Sequence, residues 1–277
     1  MTQLIGFCSS DGYGQTGLEA YYDKYPTGVN GQILTEADLV GKSLSSGEYY
    51  LPSVSGFDLV TTIDAGIQAI VEGAVANAVG KFSPKGVMCA VMDYTNGDIL
   101  ALCEYPSFDL NDVPRDNLQT LFENSKSKFV STVYEPGSTF KILTSAAALD
   151  SGKVSVNDRF YCAGSRVVDG KKIRCWKAKG HGSIDFGGGV ENSCNCVFMD
   201  CALRMGTEKF YDYLRAFGLT SKTGIDVTGE TSGIFIAQNL VKNVDLARIG
   251  FGQAVAVTPI GLLSATSSVV NGGVSVK

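Results

Sequence analysis

Between Asp64 and Val79 the apolar positions Ile67, Ile70, Val71 and Val75 fall on one face of a 3.6-residue repeat, which predicts a helix capped by the Asp64 carboxylate. The period then drops to two. Gly86 to Asp93 and Asp98 to Glu104 are β-rich runs joined by Thr95-Asn96-Gly97, and Asn-Gly between apolar runs predicts a hairpin. An alanine-rich run from Ile142 to Leu149 predicts a helix that opens near Ser138 and stops at Ser151-Gly152. Gly189-Val190-Glu191 reads as a helix start, and Glu208 to Phe217 and Pro259 to Val270 read as two further helices. The expected fold class is α+β: an antiparallel sheet flanked by helices, with residues 138 to 193 in a mainly helical lobe. Ahead of this, Gly12 to Tyr50 is rich in glycine and tyrosine, with turn signals at Asp11-Gly12, Pro26-Thr27-Gly28 and Asn30-Gly31. The chain accordingly divides near residue 55, into residues 1–55 and 56–277.

Composition narrows the function classes only slightly. A chain of 277 residues, 44% hydrophobic and 18% charged, can bury one large core or two unequal domains. Its net charge of -5, with no basic stripe, argues against nucleic acid as a partner. No apolar run approaches the length of a bilayer span.

The candidate chemistry starts at Ser138-Thr139-Phe140-Lys141, behind Glu135-Pro136-Gly137. A serine hydroxyl is a weak nucleophile unless a positioned base takes its proton, and a lysine three residues later on a helix lies on the same face. Gly137 can turn the chain sharply, leaving Ser138 in a first turn whose free amides can stabilise an oxyanion. Alone, such a serine is as readily an ordinary N-cap. A second element, Ser193-Cys194-Asn195, has the S-x-N form, and S-x-x-K with S-x-N is the pairing found in serine acyl-transferases that act on β-lactams.

With these motifs the chain resembles the class B penicillin-binding proteins, closest to the sporulation or division type of Gram-positive bacteria. The resemblance runs through Gly56 to Asp64 with Gln68, Asn96 to Leu102, Tyr105 to Asp109, Tyr134 to Lys141, Thr223 to Glu230 and Gly250 to Pro259. It implies the penicillin-binding and β-lactamase-like transpeptidase fold, with residues 1–55 as the remnant of a non-catalytic pedestal and 56–277 as a transpeptidase domain incomplete at its C-terminus. It implies that Lys141 accepts the proton of Ser138, that Ser138 attacks the penultimate D-alanine of a peptidoglycan stem peptide, that Ser193 relays a proton to the leaving amine, and that Asn195 holds the substrate amide. β-Lactams would trap Ser138. No cofactor is required for that reaction, the place of work is the extracytoplasmic face of the bacterial cell membrane, and a membrane-embedded glycosyltransferase is the expected partner. A β-lactam sensor or inactive scaffold, or a serine β-lactamase, is the alternative reading.

The family's remaining signature is K-T-G, and Lys222-Thr223-Gly224 matches it in letters. A working K-T-G lies on a sheet edge strand, well after S-x-N. Here it follows a predicted helix directly, so it is expected to be a decoy, with the working strand lying beyond Lys277 and the chain a poor catalyst without it.

Eight cysteines form the other unusual feature, five of them between Cys162 and Cys201 around the only histidine, His181. Thiolates with an imidazole suit tetrahedral zinc, and Cys162, Cys175, His181 and Cys196 are the expected set. Cys196 is preferred to Cys194 on the expectation that the middle residue of S-x-N is wedged between two groups facing the cleft. The spacing lacks a C-x-x-C pair, so buried reduced thiols and disulfides remain open beside a structural zinc.

Overall fold

The computed structural model describes residues 1–23, 25, 28–37 and 43–276. By internal contacts the chain forms two units, one of residues 1–90, 101–127 and 226–228, the other of 91–100, 128–225 and 229–277.

The first unit contains α1 (Thr2–Ile5), α2 (Gly17–Tyr22), an antiparallel pair β1 (Gln32–Ala37) and β2 (Ser43–Leu51), α3 (Ala65–Phe82), the facing parts of β3 (Val87–Met92) and β4 (Ile99–Tyr105), and α4 (Leu118–Ser125). Asp64 caps α3 as expected, accepting from the Ile67 amide at 2.9 Å. The buried stripe differs from the apolar one. Ile70 is 73% exposed, whereas Gln68 is only 3% exposed, with Val71 and Val75 beneath it. Gln68 is tolerated inside because its amide donates to the Leu102 carbonyl at 3.1 Å and accepts from the Leu102 N–H at 2.9 Å, pinning α3 to β4. The predicted turn at Pro26-Thr27 lies outside the described residues.

The second unit begins with α5 (Lys128–Ser131), a 3-10 turn (Gly137–Phe140) and α6 (Lys141–Asp150). The stretch expected to be helical then proves to carry four short strands: β5 (Arg159–Cys162), β6 (Ser165–Val168), β7 (Lys171–Arg174) and β8 (Gly182–Asp185), paired antiparallel as β5 with β8 and β6 with β7. The overlooked signal is Asp169-Gly170 between Val167-Val168 and Lys171-Lys172-Ile173; both turn residues have positive φ, the two-residue hairpin geometry. α7 (Phe186–Glu191) and α8 (Asn195–Ala216) follow, so Gly189 to Glu191 closes a helix instead of opening one. α8 breaks at Gly206, whose φ of 76° is non-helical, and the predicted Glu208 helix is its second half. α9 (Asn243–Ile249) and α10 (Pro259–Val270) complete the unit. Its core joins Phe140, Leu143 and Ala147 of the Ser138 segment to Val197, Phe198 and Met199 of α8 and Leu246 and Ile249 of α9. Burying each of these side chains other than that of Ala147 contributes about 1.5 to 3 kcal/mol, which fixes α6 against α8 and so the two motifs against each other.

Among the described residues, no helix is long and apolar enough to cross a membrane.

Candidate active site

Ser138 lies in the 3-10 turn that leads into α6, exposed, while Lys141 one turn later is buried at 4% exposure. The turn is held by its neighbours. Gly137 N–H donates to the Gly252 carbonyl at 2.9 Å, Ala254 N–H donates to Glu135 Oε1 at 2.8 Å, and Tyr134 and Val257 exchange backbone hydrogen bonds. Gly252 must be glycine: its φ is +81°, and a Cβ there would stand 2.0 Å from the Gly137 carbonyl oxygen.

Lys141 Nζ is 3.1 Å from Ser138 Oγ, 2.9 Å from Ser193 Oγ, 2.8 Å from the Ser193 carbonyl and 2.7 Å from Asn195 Oδ1. The four residues singled out in the sequence therefore meet at one amine. The arrangement also says what that amine can do. The Ser193 carbonyl and Asn195 Oδ1 can only accept, so they take two N–H bonds. A neutral amine then has one lone pair left, facing the Ser138 and Ser193 hydroxyls, which can donate to it. Burial, with the Phe198 ring centroid 5.4 Å from the amine, pulls the Lys141 pKa from 10.5 down to about 8, with the nearby Cys175 and Cys194 thiols opposing that shift. At pH 7 this raises the neutral fraction roughly 300-fold over an ordinary lysine.

Ser193 lies in the short connection between α7 and α8, and Asn195 is the first residue of α8. Ser193 takes a left-handed backbone, φ 48°, with its N–H on the Val190 carbonyl at 3.0 Å. Cys194 is extended and caps α8. The Ser193 and Asn195 side chains reach Lys141 Nζ, whereas Cys194 between them, extended and fully buried, places its thiol with those of Cys162 and Cys175.

The position of the Cys194 thiol corrects the cysteine set. The ligand atoms of Cys162, Cys175, His181 and Cys194, not Cys196, lie within 4.8 Å of one another. Cys196, the second residue of α8, is also buried and its thiol is hydrogen-bonded to Cys194 and Cys162, but it lies outside that group of four. Cys194 thus takes the place expected for Cys196, and the backbone turn at Ser193 that decides between them leaves no local signal in the sequence.

Lys222-Thr223-Gly224 lies in a loop, outside any strand, as expected. The Thr223 N–H and hydroxyl both donate to Glu230 Oε1 at 2.6 Å, and the Gly224 N–H donates to Oε2 at 3.1 Å.

Comparison with known proteins agrees with this geometry. The penicillin-binding protein transpeptidase domain matches residues 87–277. Stage V sporulation protein D of Bacillus subtilis is 40% identical over 99% of this chain and 42% of its own length; the peptidoglycan D,D-transpeptidase FtsI of Escherichia coli is 27% identical over 98% and 45%. The chain thus spans less than half the length of these relatives. Among solved structures, a peptidoglycan synthetase from Bifidobacterium adolescentis superposes with a TM-score of 0.85 at 26% identity, over 98% of this chain and 48% of that one. Penicillin-binding protein 3 of Mycobacterium tuberculosis, complexed with aztreonam, gives 0.81 at 25% identity, over 98% and 56%. With a family match over more than half its length and a buried lysine between two serines, the chain belongs to the penicillin-binding protein transpeptidase family.

Proposed function

We propose that this chain is the acyl-transfer part of a peptidoglycan D,D-transpeptidase that β-lactams inactivate. The observation that carries the reading is the buried Lys141 amine, 3.1 Å from Ser138 Oγ and bonded to both Ser193 and Asn195. Neutral Lys141 takes the Ser138 proton as Oγ attacks the carbonyl of the penultimate D-alanine. The tetrahedral oxyanion meets the Ser138 N–H at the start of the 3-10 turn. Collapse breaks the peptide C–N bond; Ser193, fed by the Lys141 ammonium, protonates the departing D-alanine amine. An amine from a second stem peptide then attacks the ester, the C–O bond breaks, and Ser138 recovers its proton. Asn195 orients Lys141 through Oδ1 and faces the substrate amide. No cofactor takes part.

The relatives named for sporulation and for the D,D-transpeptidase reaction support a role in wall synthesis during sporulation or division, at the extracytoplasmic face of the membrane. A glycosyltransferase that polymerises the glycan strands is the partner this chemistry calls for, since cross-linking needs nascent strands. Residues 1–55 serve as part of a pedestal, and 56–277 as the transpeptidase domain.

The test is intact mass after incubation of the protein that carries this chain with benzylpenicillin. The expected result is one persistent adduct, absent in Ser138→Ala. An adduct that survives Ser138→Ala overturns the assignment, and an adduct that hydrolyses within seconds favours a β-lactamase.

A further inference from the structure

Beside the Ser193-Cys194-Asn195 turn, the second unit gathers three thiols and the only imidazole of the chain. We propose that Cys162, Cys175, His181 and Cys194 bind one zinc ion tetrahedrally, and that this ion holds the Ser193-Cys194-Asn195 turn in place for Lys141. The second part rests on the function proposed above; the first does not.

The ligands come from four points that the fold brings together. Cys162 ends β5 and pairs in register with Gly182, next to His181. Cys175 follows β7, its N–H donating to the Gly164 carbonyl at 2.9 Å, and Cys194 caps α8. The close approach is built into the backbone: Gly180 has φ +77°, and a Cβ there would lie 2.1 Å from the Cys162 carbonyl oxygen. Trp176, beside Cys175, donates its indole N–H to the Asn192 carbonyl at 3.0 Å and packs edge-on to His181 at 5.5 Å between centroids. The loop that carries Cys175 and His181 is therefore tied directly to the turn that carries Cys194.

The ligand atoms stand near metal-binding spacing. A tetrahedron with Zn–S near 2.3 Å and Zn–N near 2.0 to 2.1 Å has edges of roughly 3.5 to 3.8 Å. Cys175 Sγ and His181 Nδ1 are 3.8 Å apart, and no pair in the set exceeds 4.8 Å. Binding needs a contraction of about 1 Å at most, within the reach of thiol rotamers. All three thiols are buried, and His181 Nε2 is buried with no hydrogen-bond partner among the described residues. One imidazole nitrogen of a zinc-bound histidine coordinates the metal, while the other can be met by water or a neighbouring group. Three sulfurs and one nitrogen select zinc over calcium or magnesium, which take oxygen. Binding releases the three thiol protons to solvent and leaves thiolates on the metal.

The mechanical consequence follows from Cys194. Ser193 sits in a left-handed backbone that an L-residue adopts at a cost of about 1 kcal/mol or more. A metal bond to the next side chain anchors the turn, while the Ser193 and Asn195 side chains hold Lys141. Cys194 is a positioning residue in this arrangement.

The experiment is elemental analysis of the protein purified without chelator, with alkylation of its thiols after unfolding. About one zinc per chain is expected; less than about a tenth of an equivalent, with the thiols free or paired in disulfides, overturns the site. This reading needs no activity, so it stands apart from the transpeptidase assignment. Cys194→Ser is expected to lose the metal and Cys196→Ser to keep it; the reverse pattern overturns the ligand set. For positioning, His181→Ala is expected to lose zinc and slow penicillin acylation roughly tenfold or more, with His181→Cys, a four-sulfur site, restoring both. Restoration of zinc without restoration of acylation overturns the positioning role.

Discussion

Lys141 and Lys222 both sit in signatures of this family, three residues after a serine in one case and ahead of Thr-Gly in the other, yet the fold treats them oppositely. Lys141 is buried, set on a helix start, and surrounded by two hydroxyls, a carbonyl and an amide oxygen. Lys222 is exposed at the head of a loop whose Thr223 and Gly224 amides are already taken by Glu230. The difference teaches that the letters of a motif carry no chemistry without burial and partners. A lysine becomes a base only where desolvation makes its neutral form accessible. A Thr-Gly pair can receive a substrate backbone only where its own amides are free.

The sharpest way to break this comparison is Lys141→Ala. With no base for the Ser138 proton, the acylation rate by benzylpenicillin is expected to fall by roughly 10³-fold, within the range that a positioned base contributes. Stopped-flow or quench kinetics with intact mass as the readout measures it. A loss under about tenfold would show that another group takes the proton.

The pH dependence sharpens it further. Because acylation needs neutral Lys141, its rate is expected to rise about tenfold per pH unit below 8 and to level off above it. The groups facing the amine are the Ser138 and Ser193 hydroxyls, the Asn195 amide, the Phe198 ring at 5.4 Å and the Cys175 and Cys194 thiols. The sign for stability is set by the same shift. Between pH 8 and 10.5 the unfolded chain holds a proton on Lys141 that the folded chain has released, so this group's contribution to stability rises with pH across that window. A flat acylation profile from pH 6 to 9 would mean that Lys141 does not titrate in the step.

How much of this was legible in sequence depends on how local each feature is. Ser138 and Lys141 could be paired from their spacing, because a helical turn sets which residues share a face. The α3 cap at Asp64 and the Asn96-Gly97 hairpin were likewise readable, each being decided by a few consecutive residues. The buried Gln68 was not, because its partner Leu102 is 34 residues away and only that pairing makes a polar side chain acceptable inside. The strands from Arg159 to Asp185 are four residues each, too short for a period to show, and only the Asp169-Gly170 turn marks them. Cys194 and Cys196 could be separated only by knowing which way Ser193 turns, and its left-handed backbone, with its N–H on the Val190 carbonyl, is visible only in the fold.

The smallest expected effect comes from Lys222→Ala. Lys222 is exposed, and the hydrogen bonds that shape its loop come from Thr223 and Gly224 to Glu230, none of them through the lysine side chain. Removing an exposed side chain away from caps, cores and charge networks usually changes stability by no more than about 0.5 kcal/mol. Benzylpenicillin acylation of the protein carrying this chain is therefore expected to stay within about twofold of the unaltered rate, with its pH profile unmoved. A fall in acylation approaching that of Lys141→Ala would place Lys222 beside the substrate. It would also mean that the Glu230 carboxylate gives up the Thr223 and Gly224 amides when substrate binds, so that the two lysines belong to one site after all.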